Sequence, residues 1–166
     1  VQTYQVILDQ YAGKSHHISS RLNEETEKEK ISDTTYRSRE DSKPRIMLFP
    51  FRNMNNQEDN DFLVDGIVDD IITELSMINS IEVMSRQTTF DLKGKEINIK
   101  SISEKYKINY FVTGSIRSSG NRVRVNAELS DSSEHGSIWS SRFDKIMDDI
   151  FEIQDEIVRR ISESVL

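Results

Sequence analysis

The segment Ile46-Met47-Leu48-Phe49-Pro50, the run Asp61-Phe62-Leu63-Val64-Asp65-Gly66-Ile67-Val68-Asp69-Asp70-Ile71-Ile72-Thr73-Glu74-Leu75 and the segment Ile81-Glu82-Val83-Met84-Ser85 together decide how this chain folds. Four apolar residues ended by a proline, which has no amide to give a sheet ladder, read as a strand and its end. In the second run Leu63, Ile67, Ile71, Leu75 and Ile78 recur at helical spacing with Asp65, Asp69 and Glu74 off the stripe, so one face is buried and the other wet. The third segment is again a short strand. The result is a β-α-β unit, whose two strands are parallel because the helix returns the chain to its starting end.

Working outward, residues 53–60 are polar and end in Asn60-Asp61, a pair suited to capping the helix. Beyond the unit, residues 86–95 read as a polar turn region with Phe90 as its one large anchor and Lys93-Gly94-Lys95 as a tight turn. A short helix over residues 99–107 leads to a strand from Tyr110. The turn Ser118-Ser119-Gly120-Asn121 folds that strand onto residues 122–131, where Val123, Val125, Ala127 and Leu129 alternate with Arg122, Arg124, Asn126 and Glu128. A second turn returns the chain over residues 137–144. The final helix starts near Asp148-Asp149, acids that suit its positive end, buries Ile150, Ile153, Ile157, Ile161 and Val165, and carries Arg159-Arg160 toward its far end. The fold class is therefore α/β: a two-layer mixed sheet, the β-α-β unit plus a three-stranded antiparallel meander, with helices packed on one face.

On the other side, residues 13–42 form a charged, Ser-rich, Pro-free stretch with too few apolar residues to bury, and read as a flexible linker. Residues 1–12 contain a lone strand, Val1 to Leu8, which cannot fold alone and reads as the last strand of a preceding domain. Residues 43–166 hold the one core that a chain of 166 residues is expected to build. A net charge of −7, with basic residues scattered among acids, argues against a nucleic-acid partner. The absence of cysteine excludes disulfides, thiolate metal sites and a cysteine nucleophile, and fits a cytoplasmic location. No apolar run reaches the ~20 residues that span a bilayer.

Six segments in order resemble one family: Arg45-Ile46-Met47-Leu48-Phe49-Pro50-Phe51-Arg52-Asn53, Phe62-Leu63-Val64-Asp65-Gly66-Ile67, Thr89-Phe90-Asp91-Leu92-Lys93-Gly94-Lys95, Tyr110-Phe111-Val112-Thr113-Gly114-Ser115-Ile116, Ile138-Trp139-Ser140 and residues 149–157. Together they resemble the TolB-like domain. That domain occurs in bacterial multidomain proteins beside class III adenylate/guanylate cyclase domains, winged-helix regulators and tetratricopeptide repeats. Val1-Gln2-Thr3-Tyr4-Gln5-Val6 resembles the Val-x-x-Tyr-x-Val end of a class III cyclase domain. The resemblance implies a non-catalytic sensory or regulatory protein-interaction domain, most simply of a cyclase acting in cyclic nucleotide signalling, with a winged-helix regulator as the alternative parent. Its partners would be protein: a cyclase domain upstream, helical repeats downstream. No cofactor or metal is expected, and the residues that bind metal and purine in a cyclase have no counterpart here.

Candidate sites are few. Asp65, Asp69 and Asp70 lie off the apolar stripe and read as a solvated face rather than a metal or acid-base cluster. His16-His17 and His135 have no third ligand near in sequence. The spacing of glycines from Gly114 to Gly120 mimics a phosphate loop, but a strand follows where such a loop needs a helix. Gly114 reads instead as a strand glycine under a close neighbour. Arg86, Thr88, Thr89, Lys93 and Lys95, beyond the carboxyl end of the second strand, are the best ligand site and would suit an anionic small molecule, making a receptor domain the rival function. Phe49, Pro50, Phe90, Gly114, Trp139, Phe143 and Phe151 are read as structural anchors, Trp139 as a core residue sharing one strand face with Ser141 and Phe143.

Overall fold

The computed structural model describes residues 42–55, 60–133 and 136–166. The expected strand within residues 1–12, nearly all of the expected linker, His16-His17 and His135 lie outside these.

The β-α-β unit is present. Strand β1 (Arg45–Leu48) is followed by helix α1 (Asp61–Ser76) and the short strand β3 (Glu82–Val83), which pairs with β1 in parallel. Between them the chain forms a two-residue strand, β2 (Arg52–Asn53), parallel to the later strand β4 (Tyr110–Ser119). Pro50 separates β1 from β2, so one extended segment pairs with β4 in two pieces. After β3 come the short helices α2 (Arg86–Phe90) and α3 (Ile99–Tyr106). The meander follows as β4 (Tyr110–Ser119), β5 (Arg122–Asp131) and β6 (Ser137–Ile146), and a 3-10 turn over Met147–Asp149 leads into α4 (Ile150–Val165). The sheet order is β3-β1-β4-β5-β6, with β2 beside β4.

Alternation decides what each face of this sheet holds. Ile46 and Leu48 of β1, Val112 and Ile116 of β4, and Val123, Val125, Ala127 and Leu129 of β5 are buried in one cluster with Val64, Ile67, Ile71 and Leu75 of α1 and Ile153, Ile157 and Ile161 of α4. This is the two-layer core that the periodicity predicts. Met47, Phe49 and Phe111 point the other way and form a second, smaller cluster with Ile108, covered by Ile99, Ile102 and Tyr106 of α3. There the Phe49 and Phe111 rings meet edge to face at 5.8 Å. The continuous apolar run of β1 has this physical cause: both of its faces are covered.

Local chemistry sets the joints. Ser85 caps α2 by accepting from the Thr88 amide at 3.3 Å, and Asn98 caps α3 by accepting from the Ser101 amide at 3.0 Å. Lys107 ends α3 in the left-handed region at φ 55°, and its amide reaches the Ser103 carbonyl. Asn60 makes no side-chain capping bond to α1; Asp61 is held instead by the Asn53 side chain at 2.7 Å. Gly120, at φ 56°, takes the first central position of the tight turn between Ser119 and Arg122, as a type II′ hairpin requires.

Two expectations need correction. Phe151 does not anchor the core: it is 67% exposed, because it falls one residue, or about 100° of helix, off the stripe of Ile150, Ile153 and Ile157. Arg159 and Arg160 do not serve the last turn of α4. They bind Glu156 at 2.7 and 2.8 Å, Arg159 also reaches Glu163, and Arg160 crosses to the Ser141 hydroxyl on β6.

Candidate functional site

The residues read from sequence as a ligand site come together only in part. Arg86 opens α2 and its Nε lies 2.8 Å from Asp69 of α1, while Lys93 Nζ lies 2.6 Å from Asp65 and 4.0 Å from Asp61. Asp65 and Asp69 are thus half-buried partners of these cations rather than a solvated face. Thr89 is fully buried, and its hydroxyl donates to the Leu48 carbonyl at 2.8 Å. Thr88 shares a hydrogen bond with Ser85, and Lys95 is exposed. Two of the three cations are therefore neutralised by α1 and one threonine is consumed by the end of β1. These contacts fasten α2 and its following turn to the β-α-β unit.

The anchors divide likewise. Phe49 is buried in the small cluster, and Phe90 packs half-buried against the main one. Gly114 faces the main core: a Cβ placed there would lie 2.6 Å from the Asn126 carbonyl oxygen and 2.6 Å from Cε2 of Phe51. Pro50 is half-buried. Trp139 and Phe143 are half-buried on the inward face of β6 against the main cluster, with the Arg160 guanidinium 5.6 Å above the Phe143 ring. The Trp139 Nε1 is buried and has no hydrogen-bond partner.

A second candidate surface is the open, polar face of the meander. Its residues alternate with the core-facing ones: Thr113, Ser115 and Arg117 on β4, Arg122, Arg124, Asn126 and Glu128 on β5, Ser140, Arg142 and Asp144 on β6. Arg52 of β2 joins them because it sits beside Ser115. Five exposed arginines thus share a face with two carboxylates, in a chain whose net charge is −7. Arg117 and Arg124 stand directly opposite each other, a like-charge cross-strand pair that costs stability unless countered. Asp144 is the counter-charge: Arg124 grips it with Nε at 2.5 Å and Nη2 at 3.1 Å. That hydrogen bond, with the added attraction of Arg142 and Arg122, holds the Asp144 carboxyl below its ordinary value. Two shallow polar depressions indent the face. One, of about 320 Å³, lies among Arg117, Ser119, Arg122, Arg124 and Asp144; the other, of about 150 Å³, lies among Arg52, Ser115, Asn126, Glu128 and Ser140. Both lack the apolar walls of a small-molecule pocket. The alternating Arg122 and Arg124 were the signal in the sequence; that Arg52, Arg117 and Arg142 join them required the strand pairing.

The opposite layer carries the opposite charge. Glu74 on α1 is held above its ordinary carboxyl value, first by loss of hydration and then by the charges of Asp155 and Asp70. Asp70 accepts from the buried Gln154 of α4 at 2.8 Å. Among the described residues no three His, Cys, Asp or Glu side chains gather where a metal ion would bind, and no helix is long and apolar enough to cross a membrane.

Fold and site together define an α/β module with one sheet face packed throughout and the other covered by α3 at β1 but open and arginine-bearing over the meander. Residues 42–161 match the HilA/YgeH-like transcriptional regulator second domain, and the chain belongs to that family. A relative from Rhizobium meliloti (strain 1021), named "Putative adenylate cyclase 3", is 38% identical over 120 residues; the match takes in 72% of this chain and 20% of that protein. The chain therefore spans about a fifth of that relative's length. Among solved structures it is similar to TolB from Acinetobacter baumannii (TM-score 0.55, 19% identity, 75% of this chain and 28% of that one). It is also similar to lipoprotein GNA1162 from Neisseria meningitidis (TM-score 0.52, 13% identity, 72% and 99%). At these identities the likeness is one of fold. The resemblance to TolB stands at that level, and the link to an adenylate cyclase stands in the name of a relative.

Proposed function

We propose that this domain is a non-catalytic regulatory module of a multidomain signalling protein, and that it docks a neighbouring domain or a protein partner through the open face of β4, β5 and β6. One observation carries this reading: α1 and α4 pack one side of the meander, while the other side leaves Arg52, Arg117, Arg122, Arg124 and Arg142 exposed around few carboxylates. Such a face suits an acidic protein surface, because charge complementarity steers encounter and rejects wrong partners. The parent we favour is an adenylate/guanylate cyclase in the cytoplasm, supported by the named relative and by the cyclase-like ending of residues 1–6. A transcriptional regulator is the second reading, favoured by the family match. The gene sequence upstream of Val1 distinguishes them: metal-binding aspartates of a cyclase domain in one case, a winged helix in the other. In the full-length protein, Arg117→Glu with Arg122→Glu should change nucleotide cyclase output while leaving the domain's melting temperature unchanged. Unaltered output from a folded variant would sink the docking role of this face. A thermal-shift screen with nucleotides and anionic metabolites tests the receptor alternative at Arg86, Thr88, Thr89, Lys93 and Lys95. A saturating ligand at 100 times its dissociation constant would stabilise the fold by ~2.7 kcal/mol.

A further inference from the structure

Strand β6 ends the sheet, and among the described residues nothing pairs with its far edge. Which of its backbone groups face that edge follows from the hairpin before it. A two-residue turn makes Ser119 and Arg122 a hydrogen-bonded pair, so the even-numbered residues of β5 turn their amides and carbonyls toward β4 and the odd-numbered ones toward β6. Val125 opposite Phe143 and Val123 opposite Lys145 are then the hydrogen-bonded pairs of β5 and β6. The Met147 amide, which reaches back to the Asn121 carbonyl at 2.7 Å, agrees with this phase. Ser140, Arg142, Asp144 and Ile146 consequently present their amides and carbonyls to the open edge. This edge carries no proline, and its one irregularity, the extra residue Ile138 against Leu129 and Ser130, lies at its beginning. Long regular edges of this kind are ready templates for another strand.

We propose that the occupant is a second copy of this chain, paired antiparallel along β6 about a two-fold axis through Phe143. The side chains select the copy and the register. With Phe143 opposite Phe143, Arg142 of each copy faces Asp144 of the other, giving two symmetric ion pairs, and those two residues are also the ones that exchange backbone hydrogen bonds. Moving the axis to residue 142 sets Arg142 against itself, to 144 sets Asp144 against itself, and to 145 sets Lys145 against itself. Moving it to 141 loses both ion pairs. Opposite charges directly across strands stabilise and like charges destabilise, so one register is singled out. An isologous contact of this kind closes on itself as a dimer. Among the described residues Arg142 makes a 3.4 Å contact to Asn126 and no ion pair, so its charge is available, while Asp144, already held by Arg124, takes the second copy's Arg142 as a further cation. The two edges would join into one continuous sheet, extending the arginine-bearing face across both copies. The inference holds whichever effector domain the parent carries.

The test uses the whole 166-residue chain, its mass followed by light scattering over a concentration series. The expected result is a dimer. Arg142→Asp places Asp against Asp in a homodimer, and Asp144→Arg places Arg against Arg. Each change should raise the dissociation constant by about tenfold or more, since two attractions become two repulsions. Circular dichroism checks that both variants are folded. Mixing the two variants should restore association as a heterodimer, because every 142–144 pair across the edge then joins opposite charges. A wild-type chain monomeric at all concentrations overturns the proposal. So does a dimer indifferent to both substitutions, or a mixture of folded variants that does not associate. A monomer whose Arg142 and Asp144 amides resist hydrogen exchange would assign the edge to the chain's own residues outside the described part, and would overturn it equally.

Discussion

Replacing Gly114 by alanine adds one methyl group where two neighbours already occupy the space. The new Cβ would stand 2.6 Å from the Asn126 carbonyl oxygen, 2.6 Å from Phe51 Cε2 and 2.7 Å from its Cζ. Overpacking of this kind costs about 1–3 kcal/mol. The upper end applies here, because one neighbour is backbone in the paired strand β5 and cannot swing away. For a folded unit of this size, about 3 kcal/mol corresponds to a melting temperature lower by roughly 12 °C. Thermal unfolding followed by circular dichroism and by Trp139 fluorescence reads this directly. Gly66 supplies the control: a Cβ there meets nothing within 4 Å, and alanine in a helix interior should gain up to ~1 kcal/mol. Phe51→Leu in the Gly114→Ala background removes the ring edge but not the carbonyl, so it should recover part of the loss with a coupling of roughly 0.5–3 kcal/mol. Gly114→Ala melting within ~0.5 kcal/mol of wild type would refute the close approach of Phe51 and β5 on which this reasoning stands.

Trp139→Ala should cost about 2–3 kcal/mol, below the ~3–5 of a fully buried aromatic because the indole is half-exposed on an edge strand, and an unchanged melting temperature would remove it from the core. Thr89→Val strips the buried Leu48 carbonyl of its side-chain donor and should cost about 1–2 kcal/mol by chemical denaturation, whereas a ligand-binding role alone would leave stability intact. Glu156, hydrogen-bonded by Arg159 and Arg160, has its carboxyl lowered from 4.5 to about 2. A depressed carboxyl stabilises the fold above its unfolded value and loses that contribution as pH falls from about 4.5 toward 2, so Glu156→Gln should flatten this part of the acid-unfolding profile. Limited proteolysis should cut between Gly13 and Ser42 and leave residues 43–166 intact; protection there with cleavage inside the meander would move the proposed boundary.

Periodicity alone determined the elements that bury a stripe. The spacing of Ile67, Ile71 and Leu75, the alternation of Val123, Val125 and Leu129, and the run of Ile150, Ile153 and Ile157 each encode which face is apolar, and burial follows from that with no knowledge of the partner. What the sequence could not carry were contacts between residues distant along the chain. Strand β2 has two residues and exists only because β4 passes beside it. Asp65 and Asp69 read as a wet helix face until α2 and the turn after it bring Arg86 and Lys93 to within bonding distance. Phe151 is as apolar as Phe49, but the phase of α4 turns it outward while the two covered faces of β1 leave Phe49 no outward side. The open face is the clearest case: Arg52, Arg117 and Arg142 are scattered charges in sequence, and only the pairing of four strands in one register gathers them on one face. A side chain's own chemistry is local, but its neighbours are chosen by the sheet.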